Sequence, residues 1–256
     1  MKKLIFFIIL SFFHYCSFAL IVEHTSFDAI FNYIDENDID TSTIVLLDID
    51  NTLLYPPSHM GSDQWVSYQQ TQNIQAGLDP HYALHAVLPL YFHLQHFMEL
   101  QLVEDTIPFI IKKLQERGIL VIGLTARSLS ITQCTIDQLA RNNIFLMCPF
   151  WPEIFENPLP LHYRYANGII FCKGNNKGTV LQNFFRHVEY APSKVIFVDD
   201  KEYNLHAVSR VLPDSCQYIG IRYAHLDTYV ESFDPVMVQL ELEEFLEHNP
   251  IGSNFA

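Results

Sequence analysis

The stretch VLLDIDNTLL, Val45 to Leu54, constrains this chain more than any other. Thr43 to Leu47 are β-branched or aliphatic without a polar break, the pattern of a strand covered on both faces. Two carboxylates, Asp48 and Asp50, then stand where the strand ends, and Asn51 and Thr52 open a turn. Acids beside a buried strand end are costly unless something pairs with them. A metal ion or a catalytic task accounts for both acids; a plain turn would not need both.

The rest of the chain repeats the theme. A helix is expected over Ile107–Arg117, stopped by Gly118, followed by a strand over Ile119–Leu124 that ends in Thr125-Ala126-Arg127. Ser130–Arg141 reads as a helix and Ile144–Cys148 as a short strand. Tyr163–Tyr165 and Ile169–Phe171 flank Asn167-Gly168, a strong hairpin turn. A helix over Gly178–His187 leads to a strand at Lys194–Val198 that ends in Asp199-Asp200. Tyr203–Val211, Cys216–Ile221 and Pro235–Glu247 complete the pattern as helix, strand and helix. Alternation of this kind predicts an α/β fold, a Rossmann-like parallel sheet with helices on both faces. The interval 55–104 lies outside the alternation and reads as an inserted, mainly helical cap. Residues 20–54 and 105–256 form the core.

Three strands thus end in polar chemistry, at Asp48 and Asp50, at Thr125, and at Asp199 and Asp200. In open parallel sheets the ligand crevice lies beyond the carboxyl ends of the strands, so these residues converge. Lys177, before Gly178 and the apolar Val180-Leu181, sits at a helix start from which its amine reaches the same edge. Lys173, which follows the hairpin, competes for that role. DIDNT at 48–52, the strand ending at Thr125, Lys177 before a helix, and VIFVDD at 195–200 resemble the four motifs of the haloacid dehalogenase (HAD) superfamily. The insertion resembles the cap that many members carry between the first two motifs. The exported, His- and Tyr-rich character resembles secreted acid phosphatases of that superfamily, and the chain as a whole an exported HAD-like bacterial family of poorly characterised function.

The resemblance implies a Mg²⁺-dependent phosphomonoester hydrolase. Asp48 would attack phosphorus to give an aspartyl-phosphate, and Asp50 would protonate the leaving oxygen and then deprotonate water. Asp48, the Asp50 backbone carbonyl and Asp200 would hold the metal, with Asp199 as a direct or outlying ligand; hard oxygen donors suit Mg²⁺. Thr125 and Lys177 would bind phosphoryl oxygens, with Arg127 as a further contact or a surface residue. A phosphotransferase, and an exported binding or effector protein using the same scaffold, remain as alternatives.

The first 19 residues set the compartment. Two lysines, an apolar stretch from Leu4 to Phe13 and Ser17-Phe18-Ala19 have the layout of a secretory signal peptide, too short for a comfortable membrane span. A periplasmic or secreted protein with no stable membrane span is expected after cleavage; an uncleaved anchor is the alternative. The balance of 29 acidic against 15 basic side chains disfavours a nucleic-acid partner; a small phosphomonoester is the expected one. Export permits disulfides among Cys134, Cys148, Cys172 and Cys216; Cys148 with Cys172 is one pairing, and buried free thiols are the alternative. In the insertion, His81 and His85 stand four apart and His93 and His96 three apart. These either bind metal or, with Tyr82 and Tyr91, line the cap.

Overall fold

The computed structural model describes residues 20–37, 39–146 and 148–250, so the signal-peptide segment lies outside the described residues. Strand β1, Leu20–His24, leads through Ser26, which caps Ala29 N–H, into α1, Phe27–Glu36. Phe27, Ile30 and Ile34 form the buried face of α1, at helical spacing. β2, Thr43–Leu47, follows and is buried at every position. The insertion is bounded by β3, Leu54–Tyr55, and β4, Gln101–Leu102, which pair antiparallel and bring its two ends together. Between them lie α2, Asp63–Gln75, and α3, Pro80–Phe97.

The alternation then runs α4 (Ile107–Glu116), β5 (Leu120–Thr125), a 3₁₀ turn at Leu129–Ile131, and α5 (Thr132–Arg141). Next come β6 (Ile154–Asn157), β7 (Tyr163–Ala166), β8 (Ile169–Phe171), α6 (Lys177–His187) and β9 (Lys194–Asp199). The chain closes with α7 (Glu202–Ser209), β10 (Gln217–Tyr223), α8 (Asp227–Glu231) and α9 (Pro235–His248).

One sheet has the order β1-β10-β9-β2-β5-β8-β7-β6. The first six strands of that order are parallel, and β7 and β6 continue antiparallel. The chain moves from β2 outward through β5 to β8, then returns to place β9 on the other side of β2. The order therefore switches direction at β2, the place where such sheets open a crevice. Alternate residues of the central strands enter opposite layers. Val45 and Leu47 join the cluster with α1, α4, α9 and the insertion, whereas Ile44 and Leu46 join the one with α6 and α7. Helices thus cover both faces, the fold class expected from the sequence.

Two elements differ from expectation. No strand forms at Ile144–Leu146. Asn143 takes a left-handed conformation (φ 57°) at the end of α5, and Ile144 N–H turns back to Leu139 O, so Ile144 and Leu146 are buried as a packed loop. The outer strand beside the hairpin is instead β6, which pairs with β7 in the register Ile154 to Ala166. All four cysteines of the described residues are free thiols, so Cys148 and Cys172 do not pair.

Candidate active site

Asp48 lies one residue beyond β2, and its N–H continues the sheet by bonding to Val198 O at 3.0 Å. Its side chain is buried, with Oδ1 accepting from Ile49 N–H at 2.8 Å and from Lys177 Nζ at 2.7 Å. Lys177 is the first residue of α6, whose start is fixed by Asn176 capping Thr179 N–H. The same amine reaches Asp199 Oδ2 at 2.8 Å, so a lysine 2% exposed bridges the ends of β2 and β9. Lys173 is elsewhere, with Nζ against His162 Nδ1 at 3.2 Å.

Asp199, fully buried, is saturated: besides Lys177 it accepts from Lys201 N–H at 2.8 Å and from Asn204 Nδ2, 3.0 Å from each oxygen. Asp200 differs. Asn51 Nδ2 is 3.4 Å from its Oδ2, and its Oδ1 is buried with no partner. Asp48, Asp199 and Asp200 bring carboxylate oxygens within 4.8 Å of one another. Burial pushes the Asp48 carboxyl well up, and neighbouring carboxylates add to the rise against the pull of Lys177. Burial also pushes Asp200 up to about 7. For Lys177 burial acts downward, but Asp199 and Asp48 outweigh it and hold the amine charged.

Asp50 takes another course. Arg127 Nε and Nη2 meet its two oxygens at 3.0 and 2.7 Å, a paired fork. Arg127 Nη1 is held by Thr135 Oγ1 at 3.0 Å and Gln138 Oε1 at 2.7 Å. Burial opposes ionisation of Asp50, yet the guanidinium overcomes it and keeps the carboxyl below its ordinary value. Arg127, expected as a contact to phosphoryl oxygens or as a surface residue, is buried and committed to Asp50. Thr125, at the end of β5, is fully buried, and its Oγ1 accepts Arg127 N–H at 3.1 Å.

These residues lie in a recognisable lineage. The family pattern described as proteins of unknown function, DUF2608, matches residues 23–248. The chain belongs to the DUF2608 family. It is similar to a candidate outer membrane protein of Chlamydia muridarum, 28% identical over 72% of this chain and 70% of that one. Its counterpart in Chlamydia trachomatis is 25% identical over the same shares. A haloacid dehalogenase-like family hydrolase from Streptococcus pneumoniae aligns in structure at a TM-score of 0.38 and 12% identity, covering 79% of this chain and 99% of that one. Among the described residues of this DUF2608 chain, no helix is long and apolar enough to cross a membrane.

The donor set of the DUF2608 site fits a divalent ion. Its oxygens are hard donors, three carboxylates converge, and Asp200 Oδ1 is an orphaned buried acceptor. Asp199 already accepts from Lys177, Lys201 N–H and Asn204. Sequence reasoning passed over Asn204, one turn into the helix after Asp199, and the supports Thr135 and Gln138. It also passed over Lys201, whose amine pairs with Asp63 of the insertion. Of the residues expected to line a cap, Tyr91 is buried within reach of the charges of Asp50 and Arg127. Tyr82 is 68% exposed and His85 is also exposed.

Proposed function

We propose that this chain is an exported phosphomonoester hydrolase that works through an aspartyl-phosphate on Asp48 with a divalent ion such as Mg²⁺. One observation carries the reading: a buried lysine bonded to two carboxylates beside a third whose oxygen has no partner. A ligand-free core would not gather this set without a task, since Lys177 and Lys201 offset only part of the charge of Asp48, Asp63, Asp199 and Asp200.

Held by Asp48 and Asp200, with the Asp50 carbonyl, a divalent ion would offset the negative charge shared by nucleophile and phosphoryl group. Both bonds to Asp48 fall on Oδ1, which leaves Oδ2 to attack phosphorus. The Lys177 amine lies beside the entering carboxylate and can follow the charge that builds on the phosphoryl oxygens. Thr125 accepts through its oxygen and keeps its hydroxyl proton for a phosphoryl oxygen. Ionised Asp50 is the base that takes a proton from the water cleaving the aspartyl-phosphate. To give a proton to a leaving oxygen, Asp50 must first release Arg127. Export is supported by the charged and apolar start of the sequence and by the outer-membrane naming of the relatives.

The test is hydrolysis of an aryl phosphate with and without Mg²⁺, comparing wild type with Asp48→Asn. An amide cannot form the acyl-phosphate. Wild-type turnover that needs the ion, and a folded Asp48→Asn protein without it, are expected. A folded variant with near wild-type turnover would overturn the assignment.

A further inference from the structure

Helix α3 begins at Pro80, capped by Asp79 Oδ1 accepting His81 N–H at 3.0 Å. Its first two turns carry His81 and His85. A spacing of four is slightly more than one turn, so both imidazoles rise from one face. Their ring centroids are 4.4 Å apart with planes inclined by 50°, and both residues are exposed. Ring contacts aside, neither imidazole makes a hydrogen bond or ion pair with any described residue. Four other histidines differ: His93 meets Asn249 O, His162 meets Glu156, His206 meets Glu202, and His248 meets Glu244 O. Those four spend a ring nitrogen on the fold. His81 and His85 keep theirs for solvent or a ligand.

The separation has a chemical meaning. Imidazole nitrogen binds a first-row divalent ion at about 2.0–2.1 Å, which puts each ring centroid roughly 3.2 Å from the ion. Two such rings at a right angle about the ion have centroids about 4.5 Å apart, and at a tetrahedral angle about 5.2 Å. The observed 4.4 Å is close to the right-angle separation, so the two exposed rings need move little to bind an ion side by side, as in square-planar and tetragonal coordination. Copper(II) prefers that geometry and nitrogen donors, and it stands highest in the affinity order of these ions. The donors differ in kind from the all-oxygen cluster at the strand ends, which suits a harder ion.

We propose that His81 and His85 form a two-imidazole surface site for a square-planar divalent ion, Cu²⁺ foremost, with water in the remaining positions. A bound ion would bridge the first and second turns of α3 and so stiffen the start of that helix. The proposal is independent of any activity at Asp48.

Titrating the purified protein with Cu²⁺, followed by calorimetry and electron paramagnetic resonance, tests it. With Mg²⁺ present in excess to occupy the carboxylate cluster, one Cu²⁺ per chain with affinity on the order of micromolar and an axial spectrum split by two nitrogens are expected. His81→Ala and His85→Ala should each weaken binding by about tenfold or more and remove one nitrogen coupling. His206→Ala, at an exposed histidine beside a carboxylate, should leave binding unchanged. Excess Mg²⁺ should not displace the ion. Both test positions are exposed, and circular dichroism will show that the variants fold. Unchanged affinity in both variants, or a spectrum with oxygen ligands alone, would overturn the site. Zn²⁺ binding as tightly as Cu²⁺ would overturn the square-planar assignment.

Discussion

Replacing Gly178 with alanine adds one methyl group where α6 meets α7. An ideal Cβ at that position would stand 2.0 Å from Ala207 O, 2.5 Å from Ala207 C and 3.1 Å from Val208 N. A carbon and a carbonyl oxygen rest at about 3.3 Å, so the two helices must part by roughly 1.3 Å. The obstacle is helical backbone, and no side-chain rotation relieves it. Lys177 is the adjacent residue, and its 2.7 and 2.8 Å bonds to Asp48 and Asp199 would pass out of hydrogen-bond range after such a shift. Overpacking costs about 1–3 kcal/mol, and losing one partner of a buried ion pair about 3–5 kcal/mol. Better helix propensity returns about 1 kcal/mol. A net loss of about 3 kcal/mol or more is expected for Gly178→Ala. Urea unfolding should show a lower midpoint with an unchanged slope. A loss below about 1 kcal/mol would refute the close approach and the account of how Lys177 is positioned.

Arg127→Ala should destabilise the fold by about 3 kcal/mol, since it strips Asp50 of its partner and leaves the polar groups of Thr135 and Gln138 without theirs. Arg127→Lys should recover less than half of that, because one ammonium cannot span both Asp50 oxygens; equal unfolding midpoints for Lys and Arg would argue against the fork. The third expectation concerns pH. The folded-state value of Asp200 lies near 7, above the ordinary carboxylate range, so the folded state binds more protons than the unfolded one between about pH 4 and 7. Stability should therefore fall as pH rises through that window without added metal. Mg²⁺ should raise Tm more at pH 8 than at pH 5, since it binds the ionised cluster; an equal rise at both would contradict the assignment.

Much of this was legible in the sequence because strand ends are marked by composition. Thr43–Leu47 and Lys194–Val198 are apolar runs that stop on acids, and parallel topology gathers such ends regardless of their separation along the chain. Lys177 was separable from Lys173 by its helix-start neighbours, although Gly178 also has a second purpose, the contact with Ala207. What escaped depends on partners that periodicity does not encode. Arg127 reads as one more residue after Thr125, and only the packing of α5 shows Thr135 and Gln138 holding its guanidinium against Asp50. Ile144–Leu146 has the composition of a strand, but the turn at Asn143 leaves it no ladder to join. Helical spacing groups His81, Tyr82 and His85 with Tyr91 in one segment and does not tell which of them the core will cover.

The insertion is tied to the site by charge and hydrogen bonds as well as by apolar packing. Gly61 O accepts from Gln95 Nε2 at 3.0 Å, and Gln138 Nε2 donates to Gln95 O at 2.9 Å. Gln138 in turn holds Arg127, which holds Asp50. On the other side, Asp63 at the start of α2 pairs with Lys201, the residue after Asp200. The two ties end on different acids, one on Asp50 and the other beside Asp200. Trp65, Val87, Tyr91 and Leu94 meanwhile share a hydrophobic cluster with Val45 and Leu47 of β2. A segment that swung freely over the crevice would have to break a buried relay, an ion pair and that apolar contact together. Gln95 and Gln138 are each 2% exposed, so water could not replace their bonds without opening the packing around them. Access to the strand-end cluster is therefore better served by movement within the loops at the strand ends than by hinging of α2 and α3. The position of the insertion and the geometry of Asp50 should change together.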